Sequence, residues 1–309
     1  MSSFRPSYIA LYERGELQGR VAALNKMLED CTICPRNCRV NRTAGEKGFC
    51  KIGPLPVVSS AQPHFGEEPV LVGRYGSGTI FLTGCNLRCV FCQNYDISQL
   101  YHGEEVSIED LSSMMIMLER QGCHNINFVT PTHQIAQIVA ALPMAVELGL
   151  EVPLVYNCGG YESVETLKLL DGVFDIYMPD IKYSDDRMAE KYSKAPGYFD
   201  IVKAAVKEMH RQAGDLAVDR EGVAERGLII RHLVLPGGLA GTKEVVRFIA
   251  EEVSKDSYVN IMDQYRPCFK AVEIKGLDRR ITTDEFEEAV KMAVNAGLKR
   301  VSCLMDASL

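Results

Sequence analysis

Short apolar runs alternate with longer amphipathic runs from about residue 70 onward. The apolar runs have the length of strands, whereas the longer runs repeat apolar residues every three or four positions, as helices with one buried face do. The predicted strands cover residues 79–83, 125–130, 152–157, 173–178, 228–234 and 258–262. The predicted helices lie near residues 107–121, 133–148, 161–170, 185–210 and 241–254. This alternation predicts an α/β fold with a parallel sheet and right-handed crossovers.

The end of the chain continues the pattern. Thr282-Thr283-Asp284 can cap the amphipathic run at residues 285–296, and a short apolar stretch at residues 299–303 follows. Helix starts favour such hydroxyl and carboxylate side chains. We therefore predict a terminal helix and a further strand.

Composition narrows the class of protein. A hydrophobic content of 47% in 309 residues is enough for a sizeable core, and a net charge of −7 offers no broad basic surface for nucleic acid. The first residues lack an apolar signal region, and no apolar run reaches the roughly 18 residues of a membrane span. Eleven cysteines, seven of them in two tight groups, indicate metal binding more than disulfides. We expect a cytoplasmic protein without membrane contact.

Cys85, Cys89 and Cys92 form the first cysteine group, directly after the predicted strand at residues 79–83. Their thiols should lie on the loop at the carboxyl end of that strand. A [4Fe–4S] cluster usually takes four thiolates, so three ligands would leave one iron open, as a catalytic metal site does. The alternatives are a structural zinc loop or chance spacing, although zinc prefers four ligands, often in Cys-x-x-Cys pairs.

The spacing Cys-x-x-x-Cys-x-aromatic-Cys, with Phe91 as the aromatic residue, resembles the signature of the radical S-adenosylmethionine (SAM) superfamily. The resemblance implies that the open iron binds the amino and carboxylate groups of SAM. One electron from the reduced cluster would then split SAM into methionine and a 5′-deoxyadenosyl radical that abstracts a hydrogen atom. It also implies a partial (β/α)6 TIM-like barrel over residues 71–309, with activity at the carboxyl ends of the strands. A reductant such as flavodoxin or ferredoxin would supply the electron.

The second predicted strand ends in Thr130-Pro131-Thr132-His133. In the family this loop often bonds the amino group of SAM, which makes Thr130, Thr132 and His133 candidates for cofactor binding. The usual Gly-Gly-Glu of that loop is absent here. His133 is equally suited to cap the following helix.

The ends of the third and fourth strands resemble loops of the pyruvate formate-lyase activating enzyme. That resemblance implies that Asn157, Cys158, Met178 and Asp180 surround a monovalent cation near the SAM carboxylate and that Lys182 faces SAM. The family has aspartate and threonine in place of Asn157 and Cys158, which removes oxygen ligands that such a cation prefers. The cation therefore stays an open expectation. A surface ion pair between Asp180 and Lys182 is the alternative.

Arg231 and His232 interrupt the apolar fifth strand. Buried cations are costly unless paired, and neighbouring strand residues point to opposite faces, so one should face the active-site cavity while the other packs under a helix. The strand resembles its counterpart in glycyl-radical activases, which makes both residues candidates for cofactor binding. Gln264-Tyr265-Arg266 could contact adenine or substrate or be exposed. Cys268 is a weaker candidate for substrate contact, and Cys123 and Cys303 suit the core.

The second cysteine group lies in the first 70 residues, which we assign to an N-terminal helix and a Cys-rich metal-binding extension. Cys31, Cys34, Cys38 and Cys50 could close around either a structural zinc ion or an auxiliary [4Fe–4S] cluster, and spacing does not decide because both accept four thiolates. The whole arrangement resembles a subgroup related to the pyruvate formate-lyase activating enzyme. It departs from activases with ferredoxin inserts, since no eight-cysteine insert follows Cys92, and from minimal activases, which lack the N-terminal cysteines.

Two uses of the radical are open. The first is to install a glycyl radical on a partner enzyme, and the second is to modify a small molecule or peptide. A non-catalytic Fe–S electron carrier is a third class, but it does not explain an open iron beside Asp180 and Lys182.

Overall fold

A computed structural model describes residues 4–302 of the chain. Within these residues ten strands form one sheet in the order β10-β9-β8-β6-β5-β4-β2-β1-β3, with β7 paired to β8. The strands are β1 Val57–His64, β2 Ser77–Leu82, β3 Glu104–Glu105, β4 Ile126–Val129, β5 Leu154–Cys158, β6 Ile176–Pro179, β7 Ala217–Val218, β8 Ala224–Leu233, β9 Tyr258–Met262 and β10 Arg300–Ser302.

Eleven α-helices connect or flank these strands in the described part of the chain. They are α1 Ser7–Glu13, α2 Glu16–Glu29, α3 Pro69–Val72, α4 Tyr95–Ser98, α5 Ile108–Arg120, α6 Ile135–Glu147, α7 Val164–Leu169, α8 Asp186–Ser193, α9 Tyr198–Ala213, α10 Thr242–Phe248 and α11 Thr283–Asn295. A π-helical turn, Ile249–Val253, extends α10. Reciprocal capping bonds begin α5 at Ser107 and α11 at Thr282, the latter as the sequence predicts.

The strand prediction is confirmed for the parallel part of the sheet. Strands β2, β4, β5, β6, β8 and β9 match the six predicted runs and pair in parallel, and β10 adds the predicted final strand. Helices cross between them, and the sheet edges β3 and β10 do not pair with each other. The result is the partial barrel that the resemblance implies.

Two features differ from the predictions. The single helix predicted at residues 185–210 is two helices, because Lys194 and Gly197 adopt left-handed backbone angles (φ 55° and 61°) on either side of Pro196, which cannot continue a helix. Strand β1 was not predicted. It contains Ser59, Ser60, Gln62 and Pro63, yet it pairs antiparallel with β2.

The alternation of side chains along the strands builds the barrel interior. Val155, Ile176, Met178 and Ile229 point into the barrel and pack with Leu71 of α3, so this end of the barrel is filled by apolar side chains. Two residues further along the same strands, polar side chains take the interior positions. The carboxyl ends of the strands therefore surround a polar opening above an apolar plug.

Candidate active site at the carboxyl ends of the strands

A cavity of about 380 Å³ lies at the carboxyl ends of β2, β4, β5, β6, β8 and β9. Cys85, Cys89 and Cys92 line one side of it, on the loop that follows β2. Asn157, Asp180, Lys182 and Arg231 line the floor and the opposite side. The three cysteines and the charged strand-end residues predicted from the sequence thus share one space.

Each of the three sulfur atoms has a hydrogen-bonding neighbour. The Leu87 N–H donates to Cys85 Sγ (3.3 Å), the Ser193 hydroxyl donates to Cys89 Sγ (3.0 Å), and Cys92 Sγ lies 3.2 Å from the Ser98 hydroxyl. Such donors stabilise thiolates and tune the potential of an iron–sulfur cluster. This donor set therefore suits a cluster bound by three cysteines.

Burial sets the protonation of two of these cysteines. Loss of solvent raises the pKa of the Cys85 thiol to about 12 and that of the Cys89 thiol to about 11, although the nearby Lys182 lowers both. Iron binds thiolates, so binding would release protons from these side chains.

The geometry disfavours a single zinc ion at this loop. Among residues 4–302, no group of three or more His, Cys, Asp or Glu side chains is arranged to hold one metal ion. A single zinc draws its thiolates to about 2.3 Å from one centre, whereas a cubane cluster binds each thiolate through a different iron. Within the described residues, the three thiols do not form the first arrangement.

Phe91 holds the cysteine loop against the barrel. Its side chain is 5% exposed and meets Tyr183 and Tyr265 edge to face, with ring centroids 6.3 and 5.9 Å apart. The aromatic position of the cysteine motif is therefore a packing residue that also lines the cavity.

A network of buried charges joins the strand ends across the cavity. Arg231 Nε donates to Asp180 Oδ1 (2.8 Å), Arg231 Nη2 donates to Asn157 Oδ1 (2.7 Å), and Lys182 Nζ donates to Asp180 Oδ2. The side chains of Asp180, Lys182 and Arg231 are each 16% exposed, so the alternative of a surface ion pair is wrong. Although burial opposes it, the two positive charges keep the pKa of Asp180 below its ordinary value. One carboxylate thus holds two cations in place.

The contacts of these side chains also indicate whether a monovalent cation could bind between them. Of the four residues that the resemblance assigns to it, Met178 lies in the apolar plug. Cys158 lines the cavity, but its thiol bonds with Glu162. The oxygens of Asn157 and Asp180 both accept from Arg231. A guanidinium therefore supplies the positive charge between the two side chains that were expected to bind the ion.

Of the remaining predicted residues, Thr130 lines the cavity, in a left-handed conformation with φ 62°. Thr132, His133 and His232 do not line it, contrary to the expectation. The Thr132 hydroxyl donates to Glu162 (2.6 Å), and His133 Nε2 pairs with the Thr83 carbonyl (2.8 Å).

His232 follows the strand alternation. Its ring lies on the outer face of β8, under α10, between the Ile181 carbonyl (2.6 Å) and the Thr242 hydroxyl (2.9 Å). Burial lowers the pKa of His232 to about 4 and that of His133 to about 3, so both rings are neutral. These histidines are structural in this geometry.

Two residues that sequence reasoning missed lie at the mouth of the cavity. His64 and Glu67 line it, with His64 Nδ1 3.1 Å from Glu67 Oε1, and Asn157 Nδ2 lies 3.5 Å from Glu67 Oε2. Glu68 is buried beside them and accepts two bonds of 2.9 Å from Asn260. His64 ends the unpredicted strand β1 and the two glutamates follow it, so no periodicity in the sequence indicated them.

The loop after β9 contributes less than expected. Gln264 lines the cavity, and its carbonyl accepts from Gln93 (3.2 Å). Tyr265 packs on Phe91 and donates to the Leu277 carbonyl (2.7 Å), while Cys268 Sγ bonds with the Phe91 carbonyl (3.2 Å). Cys123 is buried as predicted, and Cys303 lies outside the described residues.

Comparison with known proteins identifies the family of the chain. Residues 79–220 match the family model of the Radical SAM superfamily, a segment that contains the cysteine loop together with Asp180 and Lys182. The chain is 36% identical over 283 residues to the Methanocaldococcus jannaschii protein MJ0674, covering 89% of this chain and 77% of the relative. The chain belongs to the radical SAM superfamily. Membership implies an enzyme that uses radical chemistry with a [4Fe–4S] cluster and SAM, a reductant and a substrate.

Other similarities of this radical SAM protein are weaker. The M. jannaschii protein MJ0808 is 25% identical over 308 residues, covering 91% of this chain and 84% of that protein. A domain of pyruvate-formate lyase-activating enzyme from Bacteroides vulgatus has a TM-score of 0.37 at 12% identity, covering 63% of this chain and 90% of that one. The structure of anSMEcpe with bound AdoMet and Cp18Cys peptide has a TM-score of 0.47 at 12% identity, covering 71% and 60%.

Membrane spans were also sought in the helices. None of those within residues 4–302 combines the length and the apolar character that crossing a bilayer requires.

Proposed function

We propose that this protein cleaves SAM reductively at a [4Fe–4S] cluster on Cys85, Cys89 and Cys92, and that the resulting 5′-deoxyadenosyl radical abstracts a hydrogen atom from a glycyl-radical enzyme. The observation that carries the proposal is the shared cavity, in which three cysteines with hydrogen-bonded sulfurs face the Lys182–Asp180–Arg231 network. When bound, the cluster supplies the electron for the cleavage.

The charges of the cavity suit the methionine part of SAM, which carries a carboxylate, an ammonium and a sulfonium. Lys182 and Arg231 present cations to the carboxylate, and Asp180 orients both of them. Glu67, whose side chain is 8% exposed, presents a carboxylate to the ammonium at the mouth of the cavity. Placing fixed charges in a buried cavity strengthens each contact relative to water.

The open barrel supports an activase role. Within the described residues the sheet ends at β3 on one side and β10 on the other, so the cavity has a lateral face that strands do not close. A glycyl-radical enzyme must bring a backbone glycine to the radical on a loop, and such a face can admit one. A one-electron protein reductant such as flavodoxin or ferredoxin would deliver the electron. All ten described cysteines are free, which suits the reducing cytoplasm that we propose as its location.

The second candidate function is radical modification of a small molecule or peptide. The N-terminal cysteine group favours it, because minimal activases lack such a group, and an added metal centre can hold a substrate or relay electrons. A purely electron-carrying role is the least supported, since an electron carrier does not require the buried Lys182–Asp180–Arg231 network beside its cluster.

A direct test is to incubate the anaerobically reconstituted protein with SAM, dithionite and the glycyl-radical enzyme encoded nearest to it. The activase role predicts the EPR doublet of a glycyl radical and about one 5′-deoxyadenosine for each radical formed. Formation of 5′-deoxyadenosine without any protein radical would reject that role and favour the second function.

A further inference from the structure

The four N-terminal cysteines surround a second, smaller cavity. Cys31, Cys34, Cys38 and Cys50 all line it, and none of them takes part in a disulfide. Cys31, Cys34 and Cys50 are each less than a tenth exposed. These four thiols, which we call the N-terminal cysteine site, therefore line one cavity, with three of them buried and Cys38 partly exposed.

Two arginines direct unpartnered N–H groups at this cavity. Arg42 is 1% exposed; its Nη1 and Nη2 donate to the carbonyls of His133 (2.8 Å) and Gly53 (3.0 Å), while its Nε has no partner. Arg36 lines the same cavity, donates through Nε to the Asn86 carbonyl (2.7 Å) and leaves Nη2 without a partner. Both unpartnered nitrogens are buried atoms of cationic groups, which are expensive to leave unbonded.

The positive charge of Arg42 also lacks a negatively charged partner among the described residues. None of the ion pairs formed by the described residues involves Arg42, and its bonds go to neutral carbonyls only. A buried cation without a counter-ion costs several kcal/mol. An anionic group bound by the thiols would balance the charge and accept the free N–H bonds.

The arrangement of the thiols distinguishes between the two metals. A Zn(Cys)4 site places four sulfurs about 2.3 Å from one ion, and therefore roughly 3.8 Å from each other by tetrahedral geometry. In residues 4–302 no three or more potential ligands, these cysteines included, are arranged around a single ion. A cubane cluster separates the thiolates because each binds a different iron, and its sulfides accept additional N–H bonds.

The backbone at Gly48 packs closely against Cys38, so a side chain there would clash with the thiol. A Cβ at Gly48 would lie 2.8 Å from Cys38 Sγ, and the Phe49 N–H donates to the same sulfur (3.4 Å). Asn37 and Lys51, next to Cys38 and Cys50, hold left-handed conformations with φ 43° and 65°. Non-glycine residues in this region cost free energy, and folds maintain them mainly at functional sites.

We propose that Cys31, Cys34, Cys38 and Cys50 bind a second [4Fe–4S] cluster, not zinc, and that Arg36 and Arg42 donate hydrogen bonds to it and balance its charge. This cluster lies beside the first one. Asn86, the residue after Cys85, lines the N-terminal cysteine site, and a Cβ at Gly84 would lie 2.8 Å from the Cys50 carbonyl.

Metal content and Mössbauer spectra of the anaerobically purified full chain test the proposal. We expect about eight irons in two four-iron clusters and no zinc. The combined variant Cys85→Ala, Cys89→Ala, Cys92→Ala should keep about four irons with the Mössbauer spectrum of a [4Fe–4S] cluster. The variant Cys31→Ala, Cys34→Ala should also keep about four irons, together with an EPR signal that changes when SAM is added.

The control is Cys123→Ala, which removes a buried cysteine that lines neither cavity and should keep about eight irons. A parent protein with one zinc and about four irons would overturn the proposal. So would a parent protein with about four irons, if the Cys85, Cys89, Cys92 variant then contained none. Both of those results leave the proposed SAM cleavage intact, so failure of the second cluster is distinguishable from failure of the proposed function. If the double cysteine variant does not fold, Arg42→Met provides the second measurement. It should lower the reduction potential of the SAM-independent cluster, because the reduced and more negative cluster loses a cation and a hydrogen-bond donor, and an unchanged or higher potential would exclude the contact.

Discussion

Replacing Lys182 by Met removes one positive charge from the SAM cavity while keeping the length of the side chain. In the parent protein Lys182 Nζ bonds with Asp180 Oδ2, and the side chain is 16% exposed. Asp180 keeps its 2.8 Å bond from Arg231 in the variant, so no buried carboxylate is left unpaired. The substitution should therefore change cofactor binding more than folding.

The magnitude follows from the contact that SAM would lose. A hydrogen bond to a charged partner contributes about 1.5–3 kcal/mol. At 1.4 kcal/mol for each factor of ten, the Kd for SAM should rise roughly 10- to 150-fold. Lys182 is not a cluster ligand, so iron content and the visible absorption of the cluster should stay at the parent values.

The assay is anaerobic isothermal titration of SAM into the reconstituted protein, with iron determined on the same samples. The matched control is Lys203→Met, because Lys203 pairs with the exposed Asp200 on α9, away from the cavity. The control should bind SAM like the parent. If Lys182→Met keeps its cluster and binds SAM within a factor of about two of the parent, Lys182 does not contact the cofactor and the charge argument is wrong.

Two further predictions concern stability. Asp180→Asn leaves Lys182 and Arg231 as buried cations without their shared carboxylate. The free energy of unfolding, measured with urea under anaerobic conditions, should fall by about 3–5 kcal/mol. A loss below about 1 kcal/mol would mean that water solvates these cations. Burial raises the pKa of Glu162 from its ordinary 4.5 to about 7, so the folded protein retains a proton that the unfolded chain has released. The resulting stabilisation is complete below pH 4.5 and is lost as the pH rises through 7, about 3 kcal/mol in all. Glu162→Gln should remove this part of the pH dependence between pH 4.5 and about 7, and parallel curves for variant and parent would contradict the assignment.

The parallel strands were predictable because strands covered on both faces are continuous apolar runs. Asp180 and Lys182 were expected from the resemblance to the family's strand-end loops, and Arg231 from a charge that interrupts an apolar strand. Strand β1 was missed because it lies near the edge of the sheet and carries polar residues on both faces, so neither periodicity nor hydrophobicity marks it. His64, which ends β1, and Glu67, which follows it, were missed for the same reason.

The errors at the site concern the direction of side chains. Asn157 and Cys158 are neighbours on one strand, so only one of them can point into the barrel, and the alternation rule could have excluded the other. Thr132 and His133 lie in a 3₁₀ turn whose orientation depends on tertiary contacts with Glu162 and Thr83. No pattern in the sequence carries that information.

The central claim is that Cys85, Cys89 and Cys92 hold a cluster that supports reductive cleavage of SAM in the cavity they line. The most direct measurement is 5′-deoxyadenosine formed from SAM by the anaerobically reconstituted, dithionite-reduced protein, compared with Cys89→Ala and with the control Cys123→Ala. The account predicts 5′-deoxyadenosine from the parent and from Cys123→Ala, and none above background from Cys89→Ala. Cleavage by Cys89→Ala at the parent rate would contradict it.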